Sequence, residues 1–579
     1  MKHKILLVAS ALIIALLLAF TQSNFQRTEY KKNFIAKQKN IVRCGPDWGS
    51  LKYWLEETDI PPMPGAGSYK WKISTRNDSA QFYFNQGINM YYCFHIIEAM
   101  ASFKKAARFD PGCAILQWAQ ALAYGPNIND NGYSASPDAL AAIRRASELA
   151  EEATDKEIIL VHAQSVRYSN DSTESREKLN QQYVNAMKEA YEKYPLDADI
   201  AALYADALML QHPWDLWKND GTAKPWTPLI RQVLEKLLAK SPNHPGANHY
   251  YIHVMEPSPY AYKAIASADR LGKLTPGLSH TVHMPSHIYL RTGNYNKGVM
   301  VNENAVESYK KYIPLYASVT GNDFLYLIHN LHMQTINAMF AGRESYAVNS
   351  AVETANSISK DYLSAPGALG NYIQYIYMTP VLTNIRFGRW NELLNYPKPD
   401  AGMKYAYVLY HFGRGIAFSY KQNFTGAGQE LDMMREYMKD SSLNIAFTPF
   451  SSALEGARVA EQILLGVIYE QRKLYDGAIR HFRLADSIEI NMVYNEPRDW
   501  ILSPKHFLGN VYLIAGKPKE AEITFLNDLK YNNENGWALF GLYQSLTAQK
   551  KKTEANRVLA RFKKAFDKAD IKLKGAVYD

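Results

Sequence analysis

Cysteine is scarce in this sequence, which has only Cys44, Cys93 and Cys113 among 579 residues. So few thiols exclude a disulfide-rich scaffold, and an odd number leaves at least one of them unpaired within the chain. Cys93 and Cys113 are predicted to lie near the ends of two successive helices, where they could form a disulfide. Two separate buried thiols, acting as small apolar side chains, explain the same positions equally well.

Strong charge of either sign is also missing. The formal charge is +9 over 579 residues, and Lys and Arg form no dense run interleaved with aromatic residues. This pattern argues against nucleic acid as a partner. The sequence also lacks a Ser-His-Asp nucleophile elbow, a Walker phosphate loop and a dinucleotide-binding glycine fingerprint. None of these three common catalytic or nucleotide-binding motifs therefore indicates a function for the chain.

Long apolar runs are absent except at the start of the chain, where residues 5–20 follow a basic Met-Lys-His-Lys segment. This arrangement predicts an export signal in residues 1–21. The run is short for a membrane span, which needs ~20 residues. Its cleavage site, Ala19-Phe20-Thr21, is imperfect, so an uncleaved anchor is the alternative. We expect an exported protein that is periplasmic or held at the inner membrane by this segment alone.

The rest of the chain shows the periodicity of helices. Segments rich in Ala, Leu and Tyr alternate with short breaks that contain Gly, Pro, Asn or Asp, and no run has the alternation of a strand. We predict an all-α protein. An N-terminal extension covers residues 22–77, and helical hairpins follow in residues 78–240, 241–345 and 346–579. Irregular insertions are expected around residues 125–155, 211–245 and 310–326.

Small and large residues recur at fixed places in several segments of about one hairpin each. The sets are Gly87, Ala99, Phe103, Ala106 and Pro111; Gly466, Tyr469, Ala478, Phe482 and Ala485; and Gly509, Tyr512, Ala521 and Phe525. The small residues suit the contact between two helices, and the large ones suit packing on the next hairpin. This pattern resembles the tetratricopeptide repeat. It predicts an α-solenoid of about eight to ten hairpins.

Histidines concentrate in residues 248–289, which hold five of the 15 in the chain. Two copies of His-x-x-x-His occur there, His249/His253 and His283/His287. The copies are 34 residues apart, which is the length of one tetratricopeptide repeat. Both pairs therefore occupy the fifth and ninth places of their repeats, which face the concave groove of such arrays. Each pair shares one helical face, so the four imidazoles are expected to meet in the groove.

Further polar residues are predicted to point toward the same place. Glu256 lies one turn beyond His253, His280 opens the second repeat, and a following helix contributes His329 and His332. Neutral imidazole binds Zn, Cu, Fe and Ni well. We therefore predict a transition-metal site, with one ion or two, formed by His249, His253, His283, His287, His329 and His332. Glu256 is the candidate ligand or general base.

Two functions are compatible with this arrangement. The first is a metal-binding protein or metalloenzyme, in which Cu, Zn or Fe would act on a small organic substrate held by tyrosine-rich walls. The second is a scaffold without catalysis that binds a peptide or partner protein in its groove. A groove whose histidines form only hydrogen bonds would fit the second function. A second acidic residue, Glu496, is interpreted as the cap of a nearby helix.

Several longer strings strengthen the likeness to a known group. They are Phe-Asp-Pro-Gly-Cys-Ala at 109–114, Gly-Pro-Asn-Ile-Asn at 125–129, His-Pro-Gly-Ala-Asn-His-Tyr-Tyr-Ile-His at 244–253, His-Met-Pro-Ser-His-Ile-Tyr at 283–289, Tyr-Asn-Glu-Pro-Arg-Asp-Trp at 494–500 and Asn-Gly-Trp-Ala-Leu-Phe-Gly-Leu at 535–542. Through them the sequence resembles a bacterial family of large exported tetratricopeptide-repeat proteins. The resemblance implies the repeat fold over nearly the whole mature chain. It implies no substrate or reaction.

Overall fold

A computed structural model describes residues 46, 48–57, 59–130, 133, 135–171, 173–316, 323–447, 449–497 and 500–578. The predicted export segment and Cys44 lie outside these residues. Among the helices that are described, none combines the length and the apolarity needed to cross a membrane.

The described residues are helical throughout and contain no strand beyond an isolated bridge between Trp217 and Ala223. This confirms the predicted all-α solenoid of the tetratricopeptide type. In chain order the helices are α1 (Trp48–Glu57), α2 (Asp78–Tyr92), α3 (Ile96–Phe109), α4 (Ala114–Ala123), α5 (Pro137–Glu148), α6 (Asp155–Ser165), α7 (Arg176–Lys193), α8 (Ala198–Leu210), α9 (Thr227–Lys240), α10 (Pro245–Met255), α11 (Ile265–Leu274), α12 (Ser279–His283), α13 (Pro285–Arg291), α14 (Tyr295–Tyr312), α15 (Asp323–Phe340), α16 (Glu344–Asn356), α17 (Lys360–Leu363), α18 (Gly367–Tyr377), α19 (Thr379–Arg386), α20 (Trp390–Leu394), α21 (Lys404–Tyr420), α22 (Phe424–Met438), α23 (Ala453–Gln471), α24 (Tyr475–Asn491), α25 (Pro504–Ile514), α26 (Pro518–Tyr531), α27 (Gly536–Ala548) and α28 (Lys552–Ala565).

Three-residue turns join many of these helices into hairpins. Within the described part of the chain they are residues 93–95, 292–294, 341–343, 387–389, 421–423, 472–474, 515–517 and 549–551. The middle residue of every one is left-handed, with φ between 58° and 75°. Glycine or a polar residue fills this place in all of them except the first, where Phe94 does. A bulky side chain is uncommon in this conformation and costs strain.

The contact between the two helices of a hairpin follows the predicted pattern of small against large residues. A methyl group on Gly87 would lie 2.5 Å from the ring of Phe103, and one on Gly466 would lie 2.3 Å from Phe482. Gly509 has the same relation to Phe525, at 2.4 Å. Because interiors are close-packed, only glycine allows these rings to sit against the backbone of the first helix.

The N-terminal extension and two predicted insertions are more regularly packed than the sequence predicts. The segment 59–77 lies against the first hairpin, where Trp71 is buried and the Met63 amide donates to Gln86 Oε1 at 2.8 Å. The segments around 125–155 and 211–245 were expected to be irregular, but they contain the helices α5 and α9. The prediction of irregular insertions was wrong here, since α9 has apolar residues at helical spacing, Ile230, Val233, Leu234 and Leu237.

The solenoid closes on itself, since its last hairpins contact its middle ones. Arg291 Nη1 donates to the carbonyl of Tyr531 at 2.7 Å, and the Tyr295 hydroxyl donates to that of Asn533 at 2.6 Å. Trp537 Nε1 donates to the Met339 carbonyl at 2.9 Å. This closure brings residues 494–497 over the histidine-rich helices α10, α12 and α13.

Candidate metal centre

Two short stretches of helix carry most of the histidines. Helix α10 begins with Pro245, and the side chain of His244 caps it by accepting from the Ala247 amide at 3.1 Å. His249 and His253 then occupy one face of this helix. In the next repeat the helix is interrupted at Met284, so that His283 ends α12 and Pro285 begins α13.

The first triad consists of His249, His253 and His280. The Nε2 atom of His249 lies 3.0 Å from that of His253 and 3.1 Å from that of His280. All three side chains are buried. Three ring nitrogens therefore converge on one point inside the protein.

The second triad consists of His283, His287 and His329, whose nearest ring nitrogens all lie within 4.8 Å of one another. The Nε2 atoms of His283 and His287 are 2.8 Å apart. The interruption at Met284 therefore leaves the i,i+4 spacing of this pair intact. His329 comes from α15, is partly buried, and places its ring centroid 4.6 Å from that of His283.

The opposite ring nitrogens contact groups of the protein. The Nδ1 atom of His249 lies 2.7 Å from the carbonyl oxygen of Tyr92, and that of His283 lies 2.6 Å from Asn302 Oδ1. A carbonyl oxygen can only accept, so Nδ1 carries the proton and Nε2 keeps its lone pair. Metal-binding histidines are held in this way by outer partners.

One carboxylate links the two triads. Glu256 Oε1 lies 3.0 Å from His253 Nδ1, and its Oε2 lies 3.1 Å from His287 Nδ1. The hydroxyl of Tyr494 donates to the same Oε2 at 2.6 Å. Glu496 Oε1 adds a second carboxylate, 3.1 Å from His253 Nδ1. Both acidic groups therefore stand behind the rings, on the side away from the converging Nε2 atoms.

Aromatic rings enclose the first triad. The ring of Phe94 has its centroid 4.5 Å from that of His249 and stacks on His253 at 5.7 Å and His280 at 5.9 Å. The strained turn of the first hairpin thus points directly at the site. Trp214 meets His253 edge-on at 5.4 Å, and Tyr326 lies 4.9 Å from His280. Such walls exclude water and lower the local dielectric constant.

Burial and the carboxylates divide the histidines into two electrostatic groups. Burial holds the pKa of His249, His280, His283 and His329 below the usual value, and the neighbouring histidines add to this effect. Burial also opposes charge on His253, but Glu496 and Glu256 outweigh it and raise the pKa of His253 to about 9. Glu256 raises the pKa of His287 in the same way. Most of these rings are therefore neutral ligands at neutral pH.

The geometry of each triad fits a bound ion. Ring nitrogens that bind one ion at 2.0–2.1 Å lie about 3–3.4 Å from each other. Two separations in the first triad and one in the second are 2.8–3.1 Å, close to this range, and the remaining ones are within 4.8 Å. Three nitrogen ligands would leave an open position on an ion bound in a triad, as in catalytic sites. Phe94 and Trp214 limit what can reach the first position.

The structure brings together five of the six histidines predicted as ligands. His332 is the exception, because its ring lies 5.8 Å from Tyr375 and it belongs to neither triad. It occupies the same helix as His329 but points to another side. The predicted open groove is also different: the ligands are buried, since residues 494–497 and the loop around Trp214 cover them.

Some members of the site have functions that the sequence did not reveal. His280 completes the first triad, although it was predicted only as a neighbour. The interpretation of Glu496 as a helix cap is wrong, because its carboxylate faces His253. The predicted disulfide alternative also fails: Cys93 and Cys113 are free thiols, and both are buried.

A cavity lies next to the site on its Glu256 side. It has a volume of about 340 Å³ and includes Trp214 and Tyr494, the same two residues that contact His253 and Glu256. Its other walls include Trp217, Tyr531 and Arg291. The cavity therefore ends at two residues that also form the wall of the metal centre.

Comparisons with known proteins give only distant similarity. No family model matches the chain, and no curated protein matches it. Among solved structures, a human IFIT1 dimer with m7Gppp-AAAA is 11% identical, covers 86% of this chain and 92% of its own, and has a TM-score of 0.30. Yeast Tom70 is 12% identical in sequence. The match covers 93% of this chain and 98% of Tom70, with a TM-score of 0.28. A chain of the Cut9–Hcn1 hetero-tetramer of APC/C is 13% identical in sequence. The match covers 89% of this chain and 80% of that chain, with a TM-score of 0.28.

Proposed function

We propose that this protein binds a pair of transition-metal ions, one in each histidine triad, and acts with them on a small organic substrate. The observation that carries the proposal is the convergence of ring nitrogens in each triad: Nε2 atoms of the first triad and of His283 and His287 lie 2.8–3.1 Å apart, and His329 has a ring nitrogen within 4.8 Å of the latter pair. The Nδ1 atoms of His249 and His283 are held by protein oxygens. The ions that suit an all-imidazole set are Cu, Zn and Fe.

Glu256 positions the ligands in this proposal. Each of its oxygens lies beside one Nδ1 atom, one in each triad, and Tyr494 also binds it. A carboxylate behind a ligating imidazole fixes the ring and makes it a stronger donor. Because one side chain serves both triads, its loss affects both ions. The predicted action of Glu256 as a general base would require it to leave these contacts.

The cavity of about 340 Å³ supports a small substrate. Trp214, Trp217 and Tyr494 give it aromatic walls, as the tyrosine-rich composition predicts. Such a volume and lining suit small organic molecules. We place the protein outside the cytoplasm, in the periplasm or at the inner membrane, on the basis of residues 1–21.

Metal analysis of untagged protein tests the proposal. Elemental mass spectrometry should find close to two ions per chain in wild-type protein, and His253→Ala with His287→Ala should remove them, because each substitution leaves a triad with two ligands. His332→Ala is the matched control: it changes a buried histidine of α15 outside both triads and should keep the metal. A wild-type protein that carries no metal, and gains none from micromolar Zn or Cu, would contradict the proposal.

The predicted scaffold function is the second candidate. It would have to use other residues, because buried histidines offer no surface to a peptide. A peptide or partner protein that binds equally to wild-type protein and to the double alanine variant would support it.

A further inference from the structure

We propose that the two ions are copper and that the reduced pair binds one molecule of dioxygen between the triads. This inference rests on the proposed metal pair and identifies the metal and its small ligand. It begins with the donor atoms. Both triads offer only imidazole nitrogen, with His249, His253 and His280 in the first. Imidazole suits copper, whereas sites for Mn or Mg use carboxylates, and sites for non-haem iron commonly include one.

Carboxylates are close to the triads, but they are placed behind the ligands. Glu256 and Glu496 lie 3.0 and 3.1 Å from His253 Nδ1, which is the ring nitrogen turned away from the triad. Glu256 also lies beside His287 Nδ1. The two carboxylates and His253 form a separate group of possible ligands behind the first triad, and neither acid belongs to a triad. The triads therefore stay nitrogen-only although two acids are nearby.

The number of buried charges also favours copper in its reduced state. Charged groups away from water must be balanced by opposite charge. Two Cu(I) ions add two positive charges to a buried site that already holds the carboxylates of Glu256 and Glu496 and the guanidinium of Arg291, which donates to the Glu256 carbonyl. Two Zn(II) ions would bring four, and would need further anions in a site walled by Phe94 and Trp214.

The two triads are adjacent, so one small molecule can touch both ions. His280 of the first and His283 of the second lie one helical turn apart in α12, with ring centroids 6.3 Å apart. Glu256 joins the triads from the other side. Paired metals that share one bridging ligand lie ~3.5–4 Å apart, so the proposal requires the two ions to lie on the facing sides of the triads.

The binding step balances without protons or another reactant. Each Cu(I) gives one electron to dioxygen, so the product is peroxide bound between two Cu(II) ions. The O–O bond order falls by one, and no atom leaves. The pair with its ligand carries two positive charges before and after the step, so the step adds no charge to the buried site. A buried site tolerates such a step because its net charge stays constant.

The enclosure suits dioxygen, which is small, neutral and apolar. Phe94, Trp214 and Tyr326 cover the first triad with apolar ring surface. The neighbouring cavity reaches Trp214 from outside. Water and larger anions meet an apolar barrier there, while dioxygen does not.

The test uses the full chain loaded without oxygen with two Cu(I) ions and then mixed with oxygenated buffer. We expect uptake of one dioxygen per copper pair and a new near-ultraviolet charge-transfer band. We also expect no electron paramagnetic resonance signal, because bridged Cu(II) ions couple their spins. His280→Asn and His329→Asn each remove one ligand from one triad, and either should abolish the band and leave an ordinary Cu(II) signal. His332→Asn should behave like wild-type protein.

The outcomes separate the two proposals. If wild-type protein binds two Zn(II) ions but its Cu(I) form takes up no dioxygen, the copper–dioxygen inference is wrong and the metal pair stands. If no metal binds at all, both are wrong. Circular dichroism of each variant establishes that it folds. Since His280 and His329 come from different helices, misfolding of one variant leaves the other as the test.

Discussion

Among the buried histidines of the described residues, two settings differ in character, the two triads and a polar cluster around the single histidine His506. In the C-terminal half, Arg386 Nη1 donates to His506 Nδ1 at 3.0 Å, and His506 Nε2 lies 3.0 Å from Asp528 Oδ2. Ser503 and Asn535 donate to the same carboxylate. Both nitrogens of this imidazole therefore have protein partners, and the charges of Arg386 and Asp528 offset each other.

The triads differ because His249 and His283 hydrogen-bond to protein oxygens through one ring nitrogen only. The Nδ1 atoms of His249 and His283 meet oxygen acceptors, but among the described residues their Nε2 atoms meet only other histidine Nε2 atoms as polar partners. Buried polar groups in proteins are nearly always paired. His506 therefore has complete hydrogen bonds, whereas in the described part of the chain the Nε2 atoms of His249 and His283 have no polar partners other than histidine Nε2 atoms, which is the contrast on which the proposed metal binding rests.

The largest expected effect is a difference in the free energy of unfolding between variants of the His506 cluster and variants of the triads. In metal-free protein, His506→Asn should lower the free energy of unfolding by about 3–5 kcal/mol, because it leaves the buried Arg386 and Asp528 without their link. His280→Asn should cost about 1 kcal/mol or less, since it removes one of the crowded Nε2 atoms. Urea unfolding in the presence of a chelator measures both. Equal losses would mean that the two clusters are alike.

When metal is added, substitutions in the triads should affect the gain in stability more than the substitution of His506. A ligand at 100 times its Kd stabilises the folded state by about 2.7 kcal/mol per site. Thermal unfolding of wild-type protein should therefore shift upward with Zn(II) and return with a chelator. His280→Asn should lose about half of the shift, and His506→Asn should keep all of it. A shift that is the same in all three proteins would place the metal outside the triads.

The pH dependence of the metal-free protein is a smaller effect. The folded pKa of His253 is about 9, above its ordinary value of 6.5. Its contribution to stability is fully present below pH 6.5 and is lost as the pH rises through 9, on the order of 1–3 kcal/mol. The histidines whose pKa is lowered act below pH 6.5, where they disfavour folding. Unfolding free energies at pH 7, 8, 9 and 10 should therefore fall.

Glu496→Gln is the control for this pH effect. It removes the carboxylate that raises the pKa of His253 most, so the decline above neutral pH should become shallower. A slope identical to that of wild-type protein would show that Glu496 does not act on His253.

The smallest effect concerns the thiol beside Phe94. Burial raises the pKa of Cys93 to about 12, and its Sγ atom contacts Thr275 Oγ1 at 3.7 Å. A neutral thiol in this position is a poor metal ligand. Cys93→Ser should therefore leave the metal content unchanged and cost about 1 kcal/mol or less. A drop in bound metal would add a sulfur ligand to the first triad.

The repeat pattern made much of this predictable. Pairs such as Gly87 with Phe103 contact within one hairpin, so the fold follows from residues that are close in sequence. The 34-residue offset between His249 and His283 likewise placed the two pairs on neighbouring helices. The spacing of residues predicts these contacts because helix geometry alone sets which residues share a face.

Other parts of the site depend on distant contacts, which no local pattern reveals. Glu496 reaches His253 only because the solenoid closes on itself, and Tyr494 reaches Glu256 for the same reason. Packing of α15 against its neighbours also determines which of its histidines reaches the site. His329 belongs to a triad, while His332, three residues later, contacts Tyr375.

The closure of the solenoid has a consequence for how the protein is made. Translation runs from the N-terminus, so all six histidines of the triads leave the ribosome before Tyr494 and Glu496 exist. The cover of the site is therefore synthesised after the site itself. A ligand of the triads could therefore reach them before the last hairpins cover the site.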